Sequence, residues 1–125
     1  MLVDTDVLPW HLCGSPQATR RLDELGTLTL SALSCFEVLQ GMRNKAELAA
    51  VQKLLQRRAA TLLPVTEPIT LRASALMESI TLSHGLQMGD ALIAATALHH
   101  GLLVRTANVK HFGAAPGLTA EAFLP

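Results

Sequence analysis

The chain has few aromatic side chains: its 125 residues include one tryptophan, three phenylalanines and no tyrosine. Proteins that stack single-stranded bases or sugar rings use aromatic side chains as platforms. We therefore do not expect sequence-specific base stacking. The same scarcity argues against a glycosidase, although paired carboxylates are the groups that such an enzyme uses.

An excess of either charge is also absent, because ten basic residues balance ten acidic ones. No long-range field draws such a protein to nucleic acid or to an anionic membrane, so a polyanion has to be held by local groups. No apolar run is long enough to cross a bilayer, and Asp4 interrupts the position where a signal peptide needs an apolar block. These absences predict a cytoplasmic protein with no membrane partner.

Cysteine is scarce as well. Cys13 and Cys35 lack the C-x-x-C spacing of a zinc or redox site, and the five histidines form no ligand pattern. We predict inert, buried thiols. At 125 residues, half of them apolar, the chain is long enough for one domain with a substantial core, over residues 1–125.

Short apolar runs alternate with longer amphipathic segments. Four runs predict β-strands, at residues 1–3, 27–33, 62–65 and 102–106. Five segments predict helices, at residues 19–25, 34–41, 46–60, 68–84 and 90–100. Glycines at the ends of these segments are helix stop signals, namely Gly26, Gly41, Gly85 and Gly101. This alternation is typical of an α/β fold with a mostly parallel sheet of four to five strands and helices on both faces. The tail after Phe112 is predicted to be irregular or a final edge strand.

Acidic side chains stand where the predicted strands end or the helices begin, which is where α/β folds place their ligands. Asp4 directly follows the first strand, and a carboxylate there costs desolvation energy unless it has a partner. Function is therefore favoured for Asp4. Asp6 is explained more simply as the N-cap of a short helix over residues 7–12.

Glu37 and Asp90 have structural interpretations beside the functional one. Ser34 and Glu37 match the S-x-x-E capping box. A functional role is favoured for Glu37 only because Asp4 and Asp90 are predicted to lie in the same site. Asp90 opens a nearly uncharged helix, whose dipole favours a negative charge and would also keep a ligand carboxylate ionised.

Polar groups also follow the last predicted strand. Asn108 is equally well explained as a turn residue or as a site residue, and Thr106 carries a hydroxyl that can orient a neighbouring carboxylate. The four candidate ligands are Asp4, Glu37, Asp90 and Asn108. If they converge in the fold, their hard oxygen donors favour Mg²⁺ or Mn²⁺ over zinc. The sequence thus favours a metal-dependent nuclease that cleaves phosphodiester bonds.

These segments together resemble the PIN-domain family, and within it the VapC-type toxins of bacterial toxin–antitoxin pairs. The likeness is carried in order by residues 2–8, 34–41, 89–98 and 106–112, and spans essentially the whole chain. It implies a single PIN domain, a three-layer α/β/α sandwich with an acidic pocket holding magnesium or manganese. It also implies endoribonuclease activity on RNA, held in check by a cognate VapB-type antitoxin.

Carried over by position, the resemblance makes Asp4, Glu37 and Asp90 the catalytic and metal-binding acids. Glu37 is the candidate to orient or deprotonate the attacking water, or a third ligand. Asn108 falls where many relatives have a fourth acid, and its neutral oxygen would hold a second metal more weakly. Asp6, where relatives often carry asparagine, is a hypothetical source of the missing charge.

Around the acids, Thr106 and Ser34 are expected to act as supporting residues. Lys110, Arg105 and Arg43 are the candidates to hold substrate phosphate at the rim, although each is also explained as a solvated surface charge.

Two other functions stay open. A non-catalytic interaction module would use its acids as caps and its apolar surface for a partner, and the same surface predicts a homodimer or an antitoxin contact. An aspartate-based phosphatase also places Asp-x-Asp after a first strand, but it needs a later lysine, and none stands beside a late strand end before Lys110. RNA cleavage distinguishes the nuclease from the module, and a trapped phosphoaspartate would identify the phosphatase.

Replacing Asp6 with asparagine is expected to weaken metal binding, because one carboxylate charge is lost from the predicted site. Calorimetric titration of the protein and the variant with Mg²⁺ or Mn²⁺ measures the change. Superimposable titration curves would remove Asp6 from the site.

Overall fold

The structure is a computed structural model that describes residues 1–5, 20, 23–24 and 27–122. Its strands are β1 (Leu2–Val3), β2 (Thr29–Ser31), β3 (Thr61–Leu63), β4 (Val104–Thr106) and β5 (Ala120–Ala122). Its longer helical segments are α1 (Ala32–Gln40), α2 (Lys45–Arg57), α3 (Glu67–His84), α4 (Met88–His100) and α5 (Val109–Gly113).

Some predicted features fall outside these residues. Asp6, Cys13 and the short helix over residues 7–12 lie in undescribed parts of the chain. Of the helix predicted over residues 19–25, only Arg20, Asp23 and Glu24 are described, and all three are helical.

Every strand pairing in the described chain is parallel, as predicted. β4 lies between β1 and β5, with Val104 opposite both Leu2 and Ala120, while β2 pairs with β3. β1 also lies beside β2. The five strands thus form a group of three and a pair instead of one continuous ladder. β5 is the final edge strand that was one of the two predictions for the tail.

The two residues of β1 separate the two layers of helices. Leu2 packs with Ile69 of α3, Ile93 of α4 and Phe112 of α5, whereas Val3 packs in a second cluster with residues of β2, α1 and α2. Successive side chains of a strand point to opposite faces of the sheet. This alternation produces the α/β/α sandwich that the sequence predicted.

Helix α1 begins earlier in the sequence than the S-x-x-E pattern predicted. α1 starts at Ala32, and Ser31 is its N-cap, with its Oγ accepting a hydrogen bond from the Leu33 amide at 3.2 Å. The capping box of Ser34 and Glu37 was therefore wrong, because the chain enters the helix directly from β2, three residues earlier. Glu37 lies in the body of α1 and has no capping role.

Glycine ends three of the described helices, as the stop signals predicted: Gly41 follows α1, Gly85 follows α3 and Gly101 follows α4. Gly85 after α3 and Gly101 after α4 have φ angles of 64° and 65°, in the left-handed region that glycine adopts without a steric penalty. Cys35 is buried, and burial raises the pKa of its thiol. The prediction of an inert thiol is consistent with this environment.

The structure tests the membrane prediction only for the helices in the described part of the chain. None of those helices combines the length and the apolar character needed to cross a bilayer.

Replacing Phe112 with alanine is expected to lower the free energy of unfolding by about 3–5 kcal/mol, since its side chain is fully buried against α4 and β1. Urea denaturation measures the change. Phe36→Ala is the matched control, because Phe36 is 60% exposed and should change stability by no more than about 0.5 kcal/mol. Equal losses from both substitutions would contradict the assigned core.

Candidate active site

Asp4 is a buried carboxylate at the carboxyl end of β1, with 6% of its surface exposed. The Thr106 hydroxyl donates to its Oδ2 at 2.8 Å, and the Thr5 amide donates to its Oδ1 at 2.7 Å. Its own amide donates to the Arg105 carbonyl, continuing the ladder between β1 and β4. Within the described residues no Lys, Arg or His forms an ion pair with Asp4. The carboxylate is thus oriented by neutral groups.

Asp90 lies in the first turn of α4, partly buried. Partial burial is the main cause that raises the pKa of its carboxyl, and the nearby charge of Asp4 raises it further; His111 and the Gln87 amide act in the opposite direction. Two carboxylates that repel each other in a partly desolvated site favour a proton or a cation.

Glu37 approaches the same region from α1, with an exposed side chain. The Thr5 hydroxyl donates to its Oε1 at 3.1 Å. Gly89, the residue before Asp90, faces the same carboxylate: a Cβ built on Gly89 would lie 3.3 Å from Oε2 of Glu37. Thr5 and Gly89 therefore connect Glu37 to both of the other acids.

The three predicted acids share one neighbourhood but do not form a finished metal cage. No three Asp, Glu, His or Cys side chains of residues 1–5, 20, 23–24 and 27–122 are gathered closely enough to hold a metal on their own. Mg²⁺ usually keeps several waters and takes only one or two carboxylates. The oxygen donors of Asp4 and Asp90, together with their mutual repulsion, fit such a hydrated cation.

Asn108 contributes through its backbone. Its amide donates to the Thr106 hydroxyl oxygen at 2.9 Å, and its exposed side chain makes no capping hydrogen bond to α5. His111 also faces Asp90, with its Nδ1 3.7 Å from Oδ2 of Asp90. His111 was not predicted from the sequence, although it lies about one helical turn beyond Asn108 in the same segment.

Two of the three predicted phosphate-binding residues are paired with acids of the same chain. Arg43 forms an ion pair with Glu47 at 2.8 Å, and its hydrogen bonds lower the pKa of Glu47. Arg105 pairs with Glu121 at 3.0 Å, across the register of β4 and β5. Because neighbours on a strand alternate in direction, Arg105 points away from the face that carries Thr106. Lys110 is exposed on α5 beside His111.

Ser34 does not contact the acids through any hydrogen bond that the described chain contains. It is fully buried in α1, and its Oγ has no hydrogen-bond partner in the part of the chain that the structure describes. No hydrogen bond in the described chain supports the predicted supporting role of Ser34.

Comparison with known proteins gives one family and close relatives. The family model described as PIN domain matches residues 1–116. Ribonuclease VapC10 of Mycobacterium tuberculosis is 41% identical over 118 residues, which cover 90% of this chain and 85% of the relative. Ribonuclease VapC19 of the same organism is 38% identical over 122 residues, covering 94% and 95% of the two chains. A toxin–antitoxin complex from Klebsiella pneumoniae aligns with a TM-score of 0.73 and 26% identity over 94% of each chain.

Asp90→Asn is expected to stabilise the metal-free protein at neutral pH. Because the folded-state pKa of Asp90 is raised, the folded protein holds this proton more tightly than the unfolded chain does. The stability that Asp90 contributes is therefore present below the ordinary aspartate pKa of about 3.9 and is lost as the pH rises through the raised value. Asparagine keeps an acceptor oxygen without the charge.

Urea denaturation in chelator, from pH 4 to pH 8, measures this difference. The gain from Asp90→Asn should be small at the acid end and largest at neutral pH. Glu78→Gln, at an exposed position of α3, controls for the loss of one negative charge. A variant less stable than the parent at neutral pH would make Asp90 a structural cap.

Proposed function

Because the chain belongs to the PIN-domain family, we propose that it is a metal-dependent endoribonuclease and the toxin of a toxin–antitoxin pair. One observation carries the proposal: the carboxylates of Asp4 and Asp90 lie close enough together that the charge of Asp4 raises the pKa of Asp90. They do so at the carboxyl end of β1, where an α/β fold places its ligands. Relatives that are named ribonucleases support the choice of RNA as the substrate.

Asp4 and Asp90 are the residues proposed to hold Mg²⁺ or Mn²⁺. Both offer hard oxygen donors, which these cations prefer. When bound, the cation offsets negative charge on the phosphodiester and lowers the pKa of a water molecule. His111 stands beside Asp90, so its imidazole is a further group at the edge of the proposed site.

The chain's own residues then have distinct tasks. The Thr106 hydroxyl holds the Asp4 carboxylate in one orientation through the hydrogen bond to Oδ2. Glu37 is proposed to orient the attacking water and accept its proton, while the Thr5 hydroxyl fixes Oε1. The water oxygen bonds to phosphorus, and the bond from phosphorus to the leaving sugar oxygen breaks. Lys110 is the exposed cation proposed to contact a flanking phosphate.

The proposed partner is a VapB-type antitoxin, as expected for a chain that aligns over most of its length with a toxin–antitoxin complex. Several large apolar side chains are exposed and available to a partner, namely Phe36, Leu71, Leu82 and Met88. A homodimer would use some of the same exposed side chains. The proposed compartment is the cytoplasm, where the RNA substrate is found.

Purified protein, freed of antitoxin, is expected to cut total cellular RNA in Mg²⁺ or Mn²⁺ and to be inactive in chelator. The same cations should raise its melting temperature, since they relieve the repulsion between Asp4 and Asp90. Asp4→Ala and Asp90→Ala should each lower the cleavage rate by more than about 100-fold, because each removes a proposed metal ligand. Mapping the cut ends by sequencing identifies the cleavage sites.

A Glu78→Gln preparation, purified in parallel, controls for contaminating nuclease. Cleavage that persists in chelator, or that is equal in the Asp4→Ala preparation, would contradict the proposed activity.

A further inference from the structure

The Glu37 carboxylate needs to be held in place. It sits at the end of a flexible, exposed side chain in the body of α1. A group that orients a water for attack works only when it is fixed near its productive position, since a misplacement of about 1 Å can cost on the order of 100-fold in rate. The contacts that restrict this carboxylate therefore matter for the proposed reaction.

Thr5 supplies one restriction and ties it to Asp4. Its amide donates to Oδ1 of Asp4 at 2.7 Å, and its hydroxyl donates to Oε1 of Glu37 at 3.1 Å. One residue thereby sets the spacing of two acids that are 33 positions apart in the sequence.

Gly89 lies against the same carboxylate and leaves room for it. An ideal Cβ at this position would lie 3.3 Å from Oε2, 3.4 Å from Oε1 and 3.6 Å from Cδ of Glu37. A side chain at residue 89 would therefore push the carboxylate by a few tenths of an ångström. The position of the Glu37 carboxylate, next to α4 and hydrogen-bonded to Thr5, therefore depends on the absence of a side chain at residue 89.

The backbone gives no other reason for glycine at this position. Gly89 is the second residue of α4, and its φ is not among the positive values, which belong to Gly85, Gly101, Gly117 and Ala59 in the described chain. Glycine within a helix is destabilising relative to alanine. A destabilising residue without a conformational reason is expected where another group must approach closely, and that group is the Glu37 carboxylate.

We propose that Gly89 is a positioning residue, whose missing side chain lets the Glu37 carboxylate lie between Thr5 and the start of α4, beside Asp90. This inference rests on the proposed function, because it assigns Gly89 a task in orienting the attacking water. It adds to the site a residue that carries no chemistry of its own.

Gly89→Ala tests the proposal by separating stability from activity. The variant should melt at the same temperature as the parent or higher, because alanine favours the helix. Its kcat for RNA cleavage should fall by about tenfold with KM nearly unchanged, because the general base is displaced while substrate binding is not. Gly113→Ala is the matched control, since nothing lies within 4 Å of a Cβ there. A Gly89→Ala variant with the parent's kcat would overturn the proposal.

Substitutions of Thr5 give an independent test of how the Glu37 carboxylate is positioned. Thr5→Val removes the hydroxyl at constant shape and should lower kcat, and Thr5→Ser, which keeps the hydroxyl, should lose less. Equal losses in both would mean that the hydrogen bond to Glu37 has no positioning role.

A double-mutant cycle of melting temperatures tests the contact between residue 89 and Glu37 without an activity measurement. If a Cβ at residue 89 meets the carboxylate, Gly89→Ala should raise the melting temperature more in a Glu37→Ala background than in the parent. Equal shifts in the two backgrounds would overturn the contact. A parent protein that cuts no RNA in either metal would contradict the proposed function instead, and the cycle would still test whether Gly89 makes room for Glu37.

Discussion

The desolvation of Asp4 at the end of β1 is the constraint on which the rest of the site depends. A carboxylate that is 6% exposed has lost most of its water and is compensated here by two neutral donors, the Thr106 hydroxyl and the Thr5 amide. Hydrogen bonds orient such a group but do not neutralise it. A second carboxylate, Asp90, adds repulsion from the start of α4. Both features are costly for a purely structural cluster and are expected in a site that binds a cation.

Residues far apart in the sequence reach this position because of the strand order. The parallel pairing of β1 with β4 brings Thr106 to Asp4, and the packing of α1 against α4 brings Glu37 to Gly89. Thr5 then links Glu37 back to Asp4. The acids are thus held by neutral and small residues, and two of the arginines predicted to hold substrate phosphate pair elsewhere, Arg43 with Glu47 and Arg105 with Glu121.

Local patterns predicted the layers of this fold but not its side-chain pairings. Alternating apolar runs and glycine stops predicted the parallel strands, the helices and three of their ends, because those signals are contained within a few residues. The capping box failed because two serines stand three residues apart and the end of β2 selected Ser31. The partner of Arg105 depends on register with β5, and the approach of His111 to Asp90 depends on how α5 packs. Neither can be read from spacing, nor can the reason for glycine at residue 89.

The most direct measurement is a crystal structure of the protein soaked in Mn²⁺, with the metal located by its anomalous scattering. We expect a manganese peak in contact with the carboxylates of both Asp4 and Asp90, with Glu37 nearby. A peak bound only elsewhere, or no peak at these carboxylates at saturating Mn²⁺, would contradict it.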